Sequence, residues 1–416
     1  MDILAMIKIC ISTLTAAMLS PASNFVFIVF ILIVYMQYKR IEGFQGIIYG
    51  KPKETLKSLV LTSVLAGILA GTAISIPMVL AGISFSQDMG IQYLIILSVL
   101  LMLLDPRLLC FSYSGGIICI ISLIFGFKKV DVSGIMLLVG MLHLLESILI
   151  YFDGYRGAVP VFMESDDGSV RGGFTMQRFW PIPIAIVLFA GYGGFTGDVV
   201  STPKWWPIMR PYLDPLKVGE AVFTAVPISA ILGYSEFTSS CLPKEKCRNT
   251  SFKLAIYSLI LILLSIASSY IYIFKYIAAL FAPIGHEWLI RYERKLEKKR
   301  QPIFTPVKNG VKVLDTLPGG PGEKMGIKPG DIIVSINNKT IVTIEGMDDF
   351  FKEYINYIWV NVKNRFGEIR TLEYKDYYEG IDGLGIISVP QDRNGILVVK
   401  EKKTPIERWL RKLKKD

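Results

Sequence analysis

Long apolar runs with at most one charged residue each occupy most of the first 285 residues of the chain. The first two runs span 22–38 and 58–83, and Pro77 interrupts the second. The others are 91–104, 111–127, 133–152, 181–197, 219–235 and 254–283. A helix needs roughly 20 apolar residues to cross the hydrocarbon layer, so the pattern predicts about seven or eight membrane segments over 1–285. Residues 1–20 are also apolar and predict an N-terminal helix that stays in or on the membrane.

The pattern changes after residue 300, where uncharged runs stop and short alternating segments separated by turn residues begin. Alternation predicts strands, and helical spacing predicts one longer helix at 344–356. The predicted strands are 311–314, 331–336, 358–363, 368–374 and 384–389. Residues 303–400 are therefore expected to form one domain, joined to the membrane region by a basic linker at 286–302. The expected fold class is a polytopic α-helical membrane bundle followed by a small soluble α+β domain.

Turn and cap residues inside this domain follow a specific order. Pro318–Gly322 forms a Pro/Gly turn, a short helix over 322–325 follows, and Gly326 supplies its left-handed end. Lys328–Asp331 is a second turn, and Asn337-Asn338 closes a hairpin. This order resembles the core of a PDZ domain.

The PDZ resemblance implies a groove that binds extended peptides by strand addition, usually at a C-terminus. One wall is the predicted helix at 344–356, and the other is the last strand, which follows a Gly-rich loop. The implied peptide-binding residues are Gly383, Leu384, Gly385, Ile386, Ser388, Met347, Phe350, Phe351 and Tyr354. The groove strand would then stand at the C-terminal end of the domain, in a permuted arrangement. In the alternative interpretation, Gly383 and Gly385 only shape a turn before a strand.

Composition agrees with a membrane protein and excludes other classes. Charged residues make up 19% of the chain and the mean hydropathy is +0.47. The clustering of the apolar positions excludes a soluble enzyme, a disordered chain and a fibrous protein. The net charge of +10 comes from basic residues beside apolar runs, so it indicates membrane topology, and no nucleic-acid partner is expected.

The distribution of Lys and Arg predicts the orientation of the chain. Basic residues concentrate at 39–57 and 291–300, which places both segments and the C-terminal domain on the cytoplasmic side of the plasma membrane. Seven apolar runs lie between them. An odd number of crossings cannot return the chain to the same side, so at least one run is expected to be re-entrant or interfacial, or two runs are misassigned. The run interrupted at Pro77 is the first candidate, because it could enter and leave on one side. Trp180, directly ahead of the run at 181–197, suits an interfacial anchor.

Cysteine and histidine usage predicts neither a disulfide framework nor a metal site. The five cysteines are odd in number and form no CxxC pair, and there are only two histidines. His286-Glu287 matches the first two positions of the H-E-x-x-H motif of intramembrane metalloproteases. Position 290 is Ile, however, so zinc would lack the second histidine of that motif. No catalytic residue, cofactor or metal is therefore expected.

His143 and Glu146 form a candidate intramembrane polar pair. They stand three residues apart in an otherwise uncharged run, so they share one helix face. An ionisable residue inside a membrane span faces the bundle interior or a cavity. The pair either locks helix packing through internal hydrogen bonds or belongs to a proton or ion pathway.

The C-terminal tail, 401–416, has the pattern of a basic amphipathic helix. Ile406, Trp409, Leu410 and Leu413 form an apolar stripe that is surrounded by Arg and Lys residues. A helix of this kind near a bilayer contacts anionic lipid. Docking on the PDZ domain and simple solvation remain alternatives.

Several segments together resemble the MinJ-type polytopic PDZ proteins of Gram-positive bacteria. They are the first run ending in Tyr38-Lys39-Arg40, the span Leu142–Glu146, the loop Gly157–Phe162 and the segment from Gly172 to Trp180. The resemblance implies a non-catalytic integral membrane scaffold whose cytoplasmic PDZ domain recruits other membrane or cytosolic proteins. In that family the protein bridges a DivIVA-type polar scaffold and a MinD-type division inhibitor. Two alternatives are a site-2-like metalloprotease relative that lacks HExxH and a transporter-like membrane protein with a regulatory PDZ domain.

Overall fold

The computed structural model describes residues 3–19, 21–86, 90–126, 130–164, 170–192, 202–203, 205–209, 221–390 and 398–399. The helices α1 to α8 are Ile3–Leu19, Pro21–Tyr49, Leu56–Ala81, Ile91–Leu104, Phe111–Phe125, Val132–Asp153, Pro243–Tyr270 and Ile273–Lys299. Four of them, α3, α6, α7 and α8, are long and apolar enough to cross a membrane. The predicted apolar membrane helices of the N-terminal region are confirmed.

The last apolar run is two helices rather than the single span expected at 254–283. Helix α7 ends at Tyr270 and α8 begins at Ile273. Ile271 has extended backbone dihedrals, which stops the first helix. The two helices pack against each other, and the Tyr257 hydroxyl donates to the carbonyl of Ala282 at 2.8 Å.

The expectation of membrane helices at 181–197 and 219–235 is wrong for the residues that the structure describes. Strands β3 and β4 occupy these runs and form a long antiparallel hairpin. Two prolines at alternate positions, Pro181 and Pro183, explain the difference, because proline interrupts a helix and the isoleucines beside them favour a strand. The strands β1 to β4 are Ser84–Phe85, Val159–Glu164, Val170–Tyr192 and Ala221–Thr238.

The hairpin lies directly against α3. Gly67 and Gly71, one helical turn apart, contact the backbone of Pro181 and Pro183, and a Cβ atom at either glycine would collide with a proline carbonyl. Proline is tolerated here because β4 pairs with the other edge of β3, so the missing N–H groups break no ladder hydrogen bond. Small residues in α3 therefore allow a strand, rather than a second helix, to approach closely.

A buried ion pair fixes the hairpin to the end of α6. Asp153 accepts hydrogen bonds from Arg178 Nε at 2.8 Å and from Trp180 Nε1 at 2.7 Å. The Arg178 side chain is fully buried and also lies over the ring of Tyr38. Trp180 is fully buried as well, so its expected role as an interfacial anchor is wrong. Burial of its indole requires the partner that Asp153 provides.

The C-terminal domain is a six-stranded sheet with two short helices. The strand order is β10-β5-β6-β8-β9, and β7 pairs with β6. Asn337 and Asn338 both have positive φ and close the β6–β7 hairpin as predicted. The strands β5 to β10 are Val311–Thr316, Ile332–Ile336, Lys339–Thr340, Tyr357–Lys363, Ile369–Lys375 and Ile386–Ser388, and the helices α9 and α10 are Pro321–Met325 and Ile344–Phe350.

Helix α10 is shorter than the predicted helix at 344–356. The carbonyl of Ile355 accepts a hydrogen bond from the amide of Ile381 at 2.7 Å, and the carbonyl of Asn356 accepts one from Asp376 at 2.8 Å. These tertiary hydrogen bonds hold the segment after Phe350 outside the helix.

The domain docks on the membrane region through apolar and polar contacts. Asp315 accepts a hydrogen bond from the Tyr49 hydroxyl at 2.7 Å and lies 3.1 Å from Lys53 Nζ. Burial and the neighbouring carboxylate raise the pKa of Tyr49, so its hydroxyl remains protonated and donates. The expected linker at 286–302 is helical as far as Lys299, because α8 continues through it. The apolar part of the contact contains Phe174, Phe304, Leu314 and Val389.

Little of the chain beyond β10 is described. The short strand β11, Val398–Val399, pairs in parallel with β2. The predicted lipid-contacting tail, 401–416, lies outside the described residues.

Candidate functional site

Strand β10 stands at one edge of the PDZ sheet. Ile386 pairs with Thr316 and Ile387 with Asp315, both on β5. Among the described residues β10 pairs with no other strand, and β9 forms the opposite edge of the sheet. An unpaired edge of this kind can accept an extended peptide through main-chain hydrogen bonds.

The Gly-rich loop ahead of β10 is held by its carbonyl groups. The carbonyl of Leu384 accepts from the Gly322 amide at 2.6 Å, and that of Gly385 accepts from the Leu317 amide at 2.8 Å. Gly385 has φ +60°, a conformation that favours glycine. The Leu384 and Gly385 amides donate to no residue within the described ranges. Backbone N–H groups in such a loop are suited to capture a C-terminal carboxylate.

The predicted groove residues divide into two groups. Five of them contact the same apolar core and bring the loop, β10 and α10 together. These are Leu384, Ile386, Met347, Phe350 and Phe351. The other four lie outside that core: Gly383 and Gly385 are in the loop, Ser388 is on β10, and Tyr354 follows α10 and is 72% exposed. The peptide-binding role of all these positions stays a prediction.

The intramembrane pair predicted at His143 and Glu146 has a different arrangement from a simple hydrogen-bonded pair. His143 is buried, its Nδ1 lies 2.7 Å from the carbonyl of Val139, and its Nε2 lies 3.0 Å from Cys110 Sγ. Glu146 is half-buried and shares no hydrogen bond with His143 among the described residues. Within the described residues the imidazole therefore hydrogen-bonds to its own helix, to Cys110 and, at 3.3 Å from Nε2, to the hydroxyl of Ser112.

His286 lies at the same place, although it is far away in the sequence. Its Nε2 is 3.8 Å from Cys110 Sγ, and its ring centroid is 5.1 Å from that of His143. Glu287 points elsewhere: it accepts from the Tyr113 hydroxyl at 2.7 Å and from Arg291 Nε at 2.6 Å. Motif spacing missed this cluster because its members belong to three separate helical segments. The available signal was that the only two histidines and Cys110 all stand in or beside apolar runs.

The fold and the groove define a membrane protein with a PDZ domain. A family model described as PDZ domain matches residues 312–352. The chain is similar to the cell division topological determinant MinJ of Bacillus subtilis, with 24% identity over 257 residues, which is 61% of each protein. The expected resemblance to the MinJ-type PDZ proteins is thereby confirmed, over less than two thirds of that relative's length.

A second relative shares a much shorter stretch. The chain is 42% identical over 52 residues to the putative protease Do-like 14 of Arabidopsis thaliana, which is 12% of each protein. A similarity of this extent does not carry the activity of that protein to this chain.

Proposed function

We propose that the chain is a non-catalytic integral membrane scaffold whose PDZ groove recruits protein partners in bacterial cell division or polar organisation. The observation that carries the proposal is the unpaired edge of β10, directly after the Gly383–Ile386 loop. The similarity to a cell division topological determinant supports the biological setting.

The helix order supports a cytoplasmic PDZ domain. With two apolar runs forming strands and the last run divided into α7 and α8, the described part of the chain has four helices long and apolar enough to cross a membrane, α3, α6, α7 and α8, from the basic segment 39–57 to the basic segment 291–300. If each of these four crosses once, the number of crossings is even, and both basic segments lie on one side. The concentration of Lys and Arg assigns that side to the cytoplasm.

The proposed partners follow from this orientation. Membrane-associated or cytosolic division and polar proteins would reach the groove from the cytoplasm and bind as an added strand. The basic tail, 401–416, would contribute contacts with anionic lipid at the same membrane face.

The proposal can be tested with the full chain in lipid nanodiscs. The probe is a library of peptides with free C-terminal carboxylates, compared with the same library carrying C-terminal amides. Gly385→Ala strains the groove loop, where φ is +60°, and Gly367→Ala is the matched control in the β8–β9 turn, where φ is +92°. Both changes place a side chain at a left-handed glycine, but only the first touches the groove.

We expect the parent chain and Gly367→Ala to enrich free-carboxylate peptides. Gly385→Ala is expected to lose about tenfold or more in affinity for the selected peptides, which corresponds to about 1.4 kcal/mol. Equal enrichment of amidated peptides, or unchanged selection by Gly385→Ala, would contradict carboxylate recognition at this groove.

A further inference from the structure

Three helical segments bring a thiol and two imidazoles to one point inside the membrane region. Cys110 immediately precedes α5, His143 lies in the middle of α6, and His286 lies in α8. Their ligand atoms, one sulfur and two nitrogens, all lie within 4.8 Å of one another. His143 is only 3% exposed, and Cys110 and His286 are half-buried, so the cluster is largely shielded from the protein surface.

The distances match those of a coordinated cation. In a tetrahedral zinc site, bonds of about 2.3 Å to sulfur and about 2.0–2.1 Å to nitrogen place a sulfur and a nitrogen ligand about 3.6 Å apart. The Cys110 sulfur lies 3.0 Å from His143 Nε2 and 3.8 Å from His286 Nε2. Shifts of about half an ångström would therefore bring both sulfur–nitrogen distances to that value.

The orientation of His143 is the one that a metal ligand requires. The Val139 carbonyl, 2.7 Å from Nδ1, accepts the ring proton there and leaves the lone pair of Nε2 facing Cys110 Sγ at 3.0 Å and the Ser112 hydroxyl at 3.3 Å. A hydrogen bond of this kind fixes the tautomer and ring angle of metal-bound histidines. The second ring is held by packing, since Tyr113 and Tyr257 make edge contacts with His286 at centroid distances of 5.5 and 5.7 Å.

A reactive thiol–imidazole pair is the competing interpretation. A nucleophilic cysteine needs one imidazole as its base. Here a second imidazole is directed at the same sulfur, and the Nδ1 of His286 has no hydrogen-bond partner among the described residues. Two imidazoles that converge on one half-buried sulfur are accounted for by a shared cation and not by a single proton transfer.

We propose that Cys110, His143 and His286 hold one divalent transition-metal ion, and that Zn²⁺ is the ion these ligands favour. One thiolate and two neutral imidazoles are a donor set typical of zinc. The thiolate offsets part of the charge of a divalent ion, which matters in a membrane interior where net charge is costly.

Such an ion would fasten α5, α6 and α8 together. Helix α8 continues to Lys299 and leads to Phe304, which packs at the contact with the PDZ domain. Metal occupancy would therefore stabilise the helix that supports the docked domain.

The test uses the full chain in nanodiscs, with Co²⁺ as the spectroscopic probe and Zn²⁺ as the competing ion. We expect one Co²⁺ per chain, with a thiolate-to-cobalt charge-transfer band that Zn²⁺ removes. Cys110→Ser is expected to abolish the band. Cys119→Ser is the matched control, because Cys119 is also buried in this region but lies outside the cluster.

A second measurement separates loss of the site from loss of folding. Zn²⁺ is expected to raise the apparent Tm of the parent and of Cys119→Ser, and to leave that of Cys110→Ser unchanged at the value of the metal-free parent. A charge-transfer band that persists in Cys110→Ser would overturn the proposal. Absence of a band in the folded parent, or alkylation of Cys110 by iodoacetamide at the same rate with and without Zn²⁺, would overturn it as well.

Discussion

The antiparallel β3–β4 hairpin and the PDZ sheet have different surroundings. In the PDZ sheet, exposed and half-buried positions alternate along β9 from Ile369 to Lys375. In the hairpin, every residue of β3 from Trp180 to Val187 is buried. Only one face of β9 packs on the domain core. Strand β3 contacts α3 and also other elements of the membrane region.

This contrast shows where each region obtains its stability. The PDZ sheet has its own apolar core, built from residues such as Val313, Ile333 and Val360. The hairpin depends on its neighbours, through the close approach to Gly67 and Gly71 and through the buried contacts of Arg178. We therefore expect substitutions at hairpin contacts to destabilise the membrane region more than comparable substitutions on exposed parts of the PDZ domain.

The largest effect is expected from Asp153→Ala. This change leaves the fully buried Arg178 guanidinium without its carboxylate, and breaking a buried ion pair from one side costs about 3–5 kcal/mol. Thermal unfolding in nanodiscs measures the loss. Asp349→Ala, which removes an exposed pair with Lys352 on the PDZ domain, is expected to leave the unfolding temperature unchanged. Equal effects of the two substitutions on the unfolding temperature would contradict the expected difference in stability between the two regions.

Phe304→Ala is expected to loosen the contact between the two regions. Phe304 is fully buried and packs edge to face on Phe174 at a centroid distance of 5.4 Å, so truncation costs about 3 kcal/mol. Limited proteolysis of the segment after Lys299 reports undocking, and we expect faster cleavage there. Phe366→Ala is the control, since that ring is 77% exposed. Unchanged cleavage in Phe304→Ala would show that the docking relies on other contacts.

A smaller effect is expected from Gly71→Ala. The added methyl group meets the carbonyl of Pro183 across the α3–hairpin contact, and overpacking of this kind costs about 1–3 kcal/mol. Gly46→Ala is the matched control in α2, because a Cβ there meets no atom within 4 Å. Unfolding temperatures of the two variants test the contact. A higher unfolding temperature for Gly71→Ala would contradict the close contact between α3 and β3.

The smallest effect is expected from Arg365→Ala. Arg365 reaches from the β8–β9 turn to Glu245 at the start of α7, with the two groups 2.6 Å apart and both partly exposed. Solvent screening limits such a pair to about 0.2–1 kcal/mol. A double-mutant cycle with Glu245→Ala measures the coupling. A coupling energy well above that range would make this contact, rather than the Phe304 cluster, the main link between the regions.

The two regions also differ in how far their sequences predict them. The PDZ strands were predictable because Asn337-Asn338, Gly326 and Gly330 mark the turns and each strand alternates in polarity. The β3–β4 hairpin was not predictable from its sequence. A strand that is buried on both faces has no alternation of apolar and polar residues, so its sequence resembles that of a membrane helix. The repeated proline in Pro181-Ile-Pro183 was the local sign against a helix.

The candidate sites show the same division. The groove loop at Gly383–Ile386 follows from a resemblance within one short segment, and the structure places it against β5 and α9. The cluster of Cys110, His143 and His286 depends on three helices meeting in space. An H-E-x-x-H motif would place the second histidine one helical turn after His286. In the structure the other histidine of the cluster is His143, which lies in α6.

The most direct test of the scaffold function is site-specific photocrosslinking in living cells that carry the full chain. A photoreactive residue at Ser388, on the β10 edge, is compared with one at Glu373, which is exposed on β9 at the opposite edge of the same sheet. We predict protein adducts at position 388 that include division or polar proteins and disappear with Gly385→Ala, and none of these adducts at position 373. Identical adducts at both edges, or no protein adduct at position 388, would contradict recruitment through the groove.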